Sequence, residues 1–350
     1  MEAGMKNKST MLGSVDALCN RSFVPRERLP ELAQVAARYA VAITPAMAEL
    51  IDPGDAHDPI ARQFVPDARE LAQRPEENRD PIGDDRFSPV EGVVHRYPDR
   101  VLLKIVNACA VYCRFCFRRE MVGPGRGGLS ARQLAAALDY IGCRPEIWEV
   151  ILSGGDPLVL SARRLKDVVR RLAAMAHVKV IRVHTRVPVV APERITAALA
   201  TALRAGDKAT FVVLHANHPR ELSKKARAAC ARFIDAGIPM LSQSVLLRGV
   251  NDDAARLGAL MRALVECRIK PYYLHHADLA PGTAHLRTTI GEGQSLMRAL
   301  RGRYSGLCQP TYVLDIPGGY GKSPIGPSYL GEDGAVEDFN GRRHCYPPRR

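Results

Sequence analysis

The sequence predicts an α/β fold: a partial, open barrel of six parallel strands, wrapped by helices and preceded by a helical extension. Two observations predict it. Apolar runs suited to strands recur at 101–106, 147–152, 178–183, 209–214, 240–247 and 270–274. Stretches of helical spacing separate them, at 130–141, 161–176, 192–205, 219–236 and 252–267. Such alternation gives right-handed βαβ units around a parallel sheet. Six units are too few for a closed eight-fold barrel.

Taken in order, residues 1–92 read as a helical, wrapping segment. Leu32, Val35, Ala36, Tyr39 and Ala40 repeat at helical spacing, and Thr44-Pro45 starts a second short helix. Residues 52–92 are rich in Pro, Asp and Arg, so they are expected to pack over the barrel without joining its core. The barrel itself runs over 93–330. Ser130 and Ser161 are placed to cap the helices they precede. A last helix at 290–304 leads to a final strand at 312–314, and 331–350 form a tail.

Composition narrows the class. The chain has 350 residues, 46% of them hydrophobic, enough for a large core. No apolar run reaches the roughly 18–20 residues that span a bilayer. Lys6 and Lys8 are not followed by the apolar stretch of a secretory signal, and nine scattered cysteines argue for a reducing, cytoplasmic setting. The net charge of +13 is spread along helix faces, which favours a solvated surface over a nucleic-acid site.

Chemistry is expected where strands end. Directly after the first strand stands Cys109-Ala-Val-Tyr-Cys113-Arg-Phe-Cys116. Three thiolates at this spacing suit a soft metal or an iron–sulfur cluster, with one coordination position left open. After the second strand comes Ser153-Gly154-Gly155-Asp156-Pro157, whose glycines let backbone approach a ligand and whose N–H groups could grip a carboxylate. Lys322 follows a glycine loop, but Ile316 occupies the place of the first P-loop glycine, so a phosphate-binding loop is excluded. A lysine on such a loop can instead bond reversibly to an aldehyde cofactor.

The cysteine loop and Gly-Gly turn resemble the radical S-adenosylmethionine superfamily. A wider set, His95-Arg96-Tyr97-Pro98-Asp99-Arg100, Arg118-Arg119 and Asp315-Ile-Pro-Gly318-Gly319-Tyr-Gly321-Lys322, is similar to the lysine 2,3-aminomutase family, over about 58 to 329. The resemblance implies a radical SAM partial barrel with three cofactors. Cys109, Cys113 and Cys116 match the ligands of a [4Fe-4S] cluster. Gly154, Gly155, Asp156, His215 and Gln243 match residues around S-adenosyl-L-methionine, with Asp156 where most of the superfamily has Glu. Lys322, Arg96, Tyr97 and Arg100 match residues that hold pyridoxal 5′-phosphate in a C-terminal part of the barrel domain, with Lys322 catalytic. Arg118 matches the arginine for the substrate carboxylate, and Asp278 and Asp315 match the carboxylates for its ε-ammonium.

The implied reaction is an isomerisation. A 5′-deoxyadenosyl radical takes hydrogen from the β-carbon of L-lysine, and the α-amino group moves there to give β-lysine. An electron donor such as flavodoxin or ferredoxin is implied, and a homo-oligomer is open. Longer family members carry a zinc site that includes a cysteine after an Asn-Asp pair. Here Asp253 follows Asn251-Asp252, so no structural zinc is expected. The adjacent His275 and His276 face opposite ways on a strand and do not suggest a metal. Alternatives are β-lysine supply for modifying a translation elongation factor, another cationic substrate such as arginine, or an RNA-modifying radical enzyme.

Overall fold

Alternation along the strands builds the molecule. A computed structural model describes residues 11–348; Lys6 and Lys8 lie outside the described residues. Nine strands form one sheet in chain order. They are β1 (Val93–Tyr97), β2 (Arg100–Val106), β3 (Glu149–Gly154), β4 (Val180–Thr185), β5 (Ala209–His215), β6 (Met240–Val245), β7 (Ile269–His275), β8 (Thr311–Ile316) and β9 (Gly321–Pro324). β2 to β8 run parallel. β1 and β9 are antiparallel edges.

The final strand expected at 312–314 thus joins the six as a seventh parallel strand. β1 and β9, which the apolar pattern does not signal, carry Arg96, Tyr97 and Lys322. Lys322 therefore stands on a short strand, not on a free loop. The two edges meet where the Lys322 backbone N–H donates to Tyr97 Oη at 2.7 Å.

Each strand points alternate residues outward and inward. Outward residues such as Val150, Leu152, Ile181, Val183, Val212 and Leu214 are buried in the main core. Helices Ala131–Gly142, Ala162–Ala173, Lys224–Asp235 and Ala254–Glu266 cover them. Their starts follow capping logic: Ser130 accepts from Gln133 N–H at 3.2 Å, and Asp253 accepts from Arg256 N–H at 2.8 Å. Asp253 is thus a helix cap.

The helix expected at 192–205 is broken into a 3₁₀ turn, Pro192–Arg194, and a short helix, Ala197–Ala202. Thr196 caps the second piece by accepting from Leu199 N–H. The wrap departs further from expectation. Ile60 and Phe64 are fully buried in the main core, because the short helix Ala61–Phe64 lies against the barrel rather than over it. The tail forms a small hairpin, Ala335–Glu337 with Arg343–Cys345. Among the described residues no helix is long and apolar enough to cross a membrane.

Candidate active site

Inward-facing residues enclose a cavity of about 690 Å³ inside the barrel. All of the expected site residues line it: the three cysteines, Arg96, Tyr97, Arg100, Arg118, Gly154, Gly155, Asp156, His215, Gln243, Asp278, Asp315 and Lys322.

The cysteine loop occupies one wall. Burial raises all three thiols, Cys113 to about 11, and Cys116 further raises both Cys109 and Cys113. Arg186, a buried residue absent from the sequence expectations, opposes this: its Nη1 donates to Cys113 Sγ at 3.3 Å. Among the described residues no three His, Cys, Asp or Glu side chains close on a single metal ion; the thiols share a cavity wall instead.

The Gly-Gly turn is shaped by close approach. A Cβ on Gly154 would lie 2.4 Å from Val106 O, and one on Gly155 would lie 2.3 Å from Ala108 O. Gly154 also has φ +108°, open to glycine alone. The turn's amides are engaged differently than expected. Gly155 N–H donates to Val106 O and Asp156 N–H to Ala108 O, so they tie the turn to the end of β2 and to the entry of the cysteine loop rather than waiting for a ligand. The Asp156 carboxylate accepts from Thr185 Oγ1 and from the N–H groups of Leu158, Arg186 and Val187. Nearby, His215 Nε2 is buried without a partner, and Gln243 Nε2 reaches His184 Nδ1 at 3.4 Å.

The opposite wall carries Lys322. Its Nζ donates to both oxygens of Asp315, at 2.6 and 2.7 Å. His275 Nδ1 stands 3.4 Å from Asp315 Oδ2, while His276 faces away and meets Tyr312 Oη. Burial works against the Asp315 charge, yet His275 and Lys322 hold its pKa well below the carboxylate range. Asp278 is the reverse case. Burial and then the Asp315 charge push it up to about 7, and its Oδ1 has no partner.

The guanidinium groups are oriented from the wrap. Asp84, fully buried, accepts from Arg118 Nη2 at 2.8 Å and from Arg96 Nη2 at 3.0 Å. Glu70, also fully buried, pairs with Arg114 at 2.6 Å and with Arg119. Arg100 lies over the Tyr97 ring, 3.8 Å from its centre, and pairs with Asp99. Asp84, Glu70, Arg186 and His184 escaped sequence reading because no local spacing marks them. A buried acid in a Pro-rich stretch looks like a turn residue until its partners are seen.

The fold and the three-cysteine loop define a radical SAM protein, and the Radical SAM superfamily model matches residues 103–257. A similar solved structure is a radical SAM methyltransferase from Sphaerobacter thermophilus, with 22% identity, covering 63% of this chain and 68% of that one at a TM-score of 0.44. The chain is 40% identical to L-lysine 2,3-aminomutase of Clostridium subterminale, across 89% of this chain and 75% of the relative. It is 36% identical to the L-lysine 2,3-aminomutase of Escherichia coli, across 82% and 83%. Glutamate 2,3-aminomutase of Clostridioides difficile is 34% identical across 92% and 76%. The chain belongs to the lysine 2,3-aminomutase family.

The residues present fit the groups this family implies. Three mutually repelling thiols need a multivalent cationic partner to ionise together, which suits an iron–sulfur cluster. Arg96 Nε is buried without an acceptor, an orphaned donor suited to the phosphate of pyridoxal phosphate. His215 Nε2 is a similar orphan beside the cysteine wall.

Proposed function

We propose that this protein is an isomerase that moves the α-amino group of L-lysine to the β-carbon. Cys109, Cys113 and Cys116 hold the [4Fe-4S] cluster. Gly154, Gly155, Asp156, His215 and Gln243 form the S-adenosylmethionine side, and Lys322, Arg96, Tyr97 and Arg100 hold pyridoxal phosphate. When bound, these groups supply hydrogen abstraction by a radical and a carrier for the migrating amino group.

The chain's own residues position and shield. Asp84 holds Arg118 by Nε and Nη2 and so keeps the guanidinium from rotating, which turns its remaining Nη1 side to the substrate carboxylate. Asp278 and Asp315 face the far end of the substrate. An arriving ammonium favours the charged form of Asp278, so cation binding and loss of its proton are coupled. Lys322 Nζ donates to both oxygens of Asp315, which orients the amine along the cavity wall. The barrel wall excludes water from reactive carbon atoms.

The observation that carries this reading is the pair of buried carboxylates, Asp278 and Asp315, in one cavity with Lys322 and the three cysteines. Two acids favour a cationic side chain and disfavour glutamate, which they would repel. The test is anaerobic reconstitution with iron, sulfide and pyridoxal phosphate, then reduction with S-adenosylmethionine and L-lysine. β-Lysine is expected; its absence from protein carrying both cofactors overturns the assignment.

A further inference from the structure

His184 lies on β4 and lines the cavity beside Arg182. Its ring bridges the interior: Nδ1 is 3.4 Å from Gln243 Nε2 on β6, two strands away. An amide nitrogen only donates, so Nδ1 is the accepting nitrogen. A neutral ring then carries its proton on Nε2. Burial first, then Arg182, Lys322, His275 and Arg118, hold the ring well below its ordinary pKa, so it is neutral. That Nε2 is buried and has no acceptor among the described residues. Buried donors are seldom left unpaired, and leaving one so is costly. The cations acting on it are Arg182 first, then Lys322 and Arg118, each held by one acid, Glu149, Asp315 and Asp84 respectively.

We propose that His184 is a further ligand-contacting residue, donating from Nε2 to an anionic oxygen of the pyridoxal phosphate and amino-acid pair. This rests on the reading under Proposed function. Gln243 fixes the tautomer that leaves Nε2 as the donor. The oxygen belongs either to pyridoxal phosphate or to the amino-acid carboxylate, and the two sources are separable by titration.

The experiment compares wild type with H184A and H184Q by absorbance, first titrating pyridoxal phosphate and then adding L-lysine to the loaded protein. In H184A one of the two half-saturation concentrations rises roughly tenfold to a hundredfold, the size of a hydrogen bond to a charged group. H184Q retains an N–H donor and recovers part of the loss. A rise in the first titration assigns the oxygen to pyridoxal phosphate; a rise in the second alone assigns it to the amino acid. Unchanged titrations in folded H184A, or a change confined to S-adenosylmethionine binding, overturn the inference. If H184A does not fold, H184N gives the same reading, because its shorter side chain withdraws the donor. Failure of wild type to bind pyridoxal phosphate overturns the functional reading and this inference with it.

Discussion

Asp278 and Asp315 are two carboxylates on one cavity, held in opposite charge states. Asp315 has Lys322 and His275 against it and stays ionised. Asp278 has a buried, unpartnered Oδ1 and a pKa of about 7 against an ordinary 3.8. The sign of the consequence follows from proton binding. Between about pH 4 and pH 7 the folded, ligand-free protein holds a proton at Asp278 that the unfolded chain has lost. Stability at this site is therefore full below the lower value and declines as pH rises through about 7. D278N keeps the shape and removes the ionisation. Ligand-free D278N is expected to be more stable to unfolding than wild type at pH 8, by about 1–4 kcal/mol, with the gap narrowing toward pH 4.5. The same variant loses a carboxylate facing the substrate ammonium, and its KM for lysine is expected to rise at least about tenfold. A gap that does not change with pH would show that Asp278 titrates normally.

At the scale of elements, the joint between β2 and β3 positions the cysteine loop. Gly155 packs against Ala108 O so closely that any side chain must push backbone, which cannot swing aside. G155A is expected to cost about 1–3 kcal/mol and to displace the loop. Iron bound per chain after anaerobic reconstitution should fall while circular dichroism is kept. G142A is the control, since its Cβ meets only Met175 Cε at 3.8 Å, and its iron content should equal wild type. Equal iron in G155A would mean that the joint is dispensable.

This scale also separates what the sequence discloses from what it hides. β2 to β7 were legible because apolar runs at regular intervals are what strands covered by helices require. The spacing of Cys109, Cys113 and Cys116 marks a soft-ligand loop, whereas Lys322 stands out only through the family resemblance; the structure puts all four on one cavity. β1 and β9 were hidden: each is short, contains polar residues and is held by one neighbouring strand, so no apolar run marks them. The engagement of the Gly155 amide by Val106 O was hidden too, since a glycine turn reads the same whether its N–H serves ligand or loop.

Across the whole molecule, the N-terminal wrap acts as a clamp on the open side of the barrel. Gly83, at φ +68°, packs against the Gly318-Gly319 loop, where a Cβ would lie 2.5 Å from Gly319 N. The next residue, Asp84, reaches Arg96 on β1 and Arg118 beyond the cysteine loop. One buried acid thus links the wrap, a sheet edge and the cysteine-loop wall. Removing one partner of such a buried group strands the others as uncompensated charge, typically at about 3–5 kcal/mol. D84N strands two guanidinium groups at once, so ligand-free D84N is expected to unfold well below wild type. Pyridoxal phosphate should then raise its unfolding temperature more than it raises that of wild type, because the phosphate satisfies the Arg96 guanidinium that Asp84 no longer holds. Thermal unfolding of both proteins with and without the cofactor decides the matter. A drop with no larger recovery would mean that Arg96 and Arg118 have turned away from the cavity, and that Asp84 serves the clamp alone.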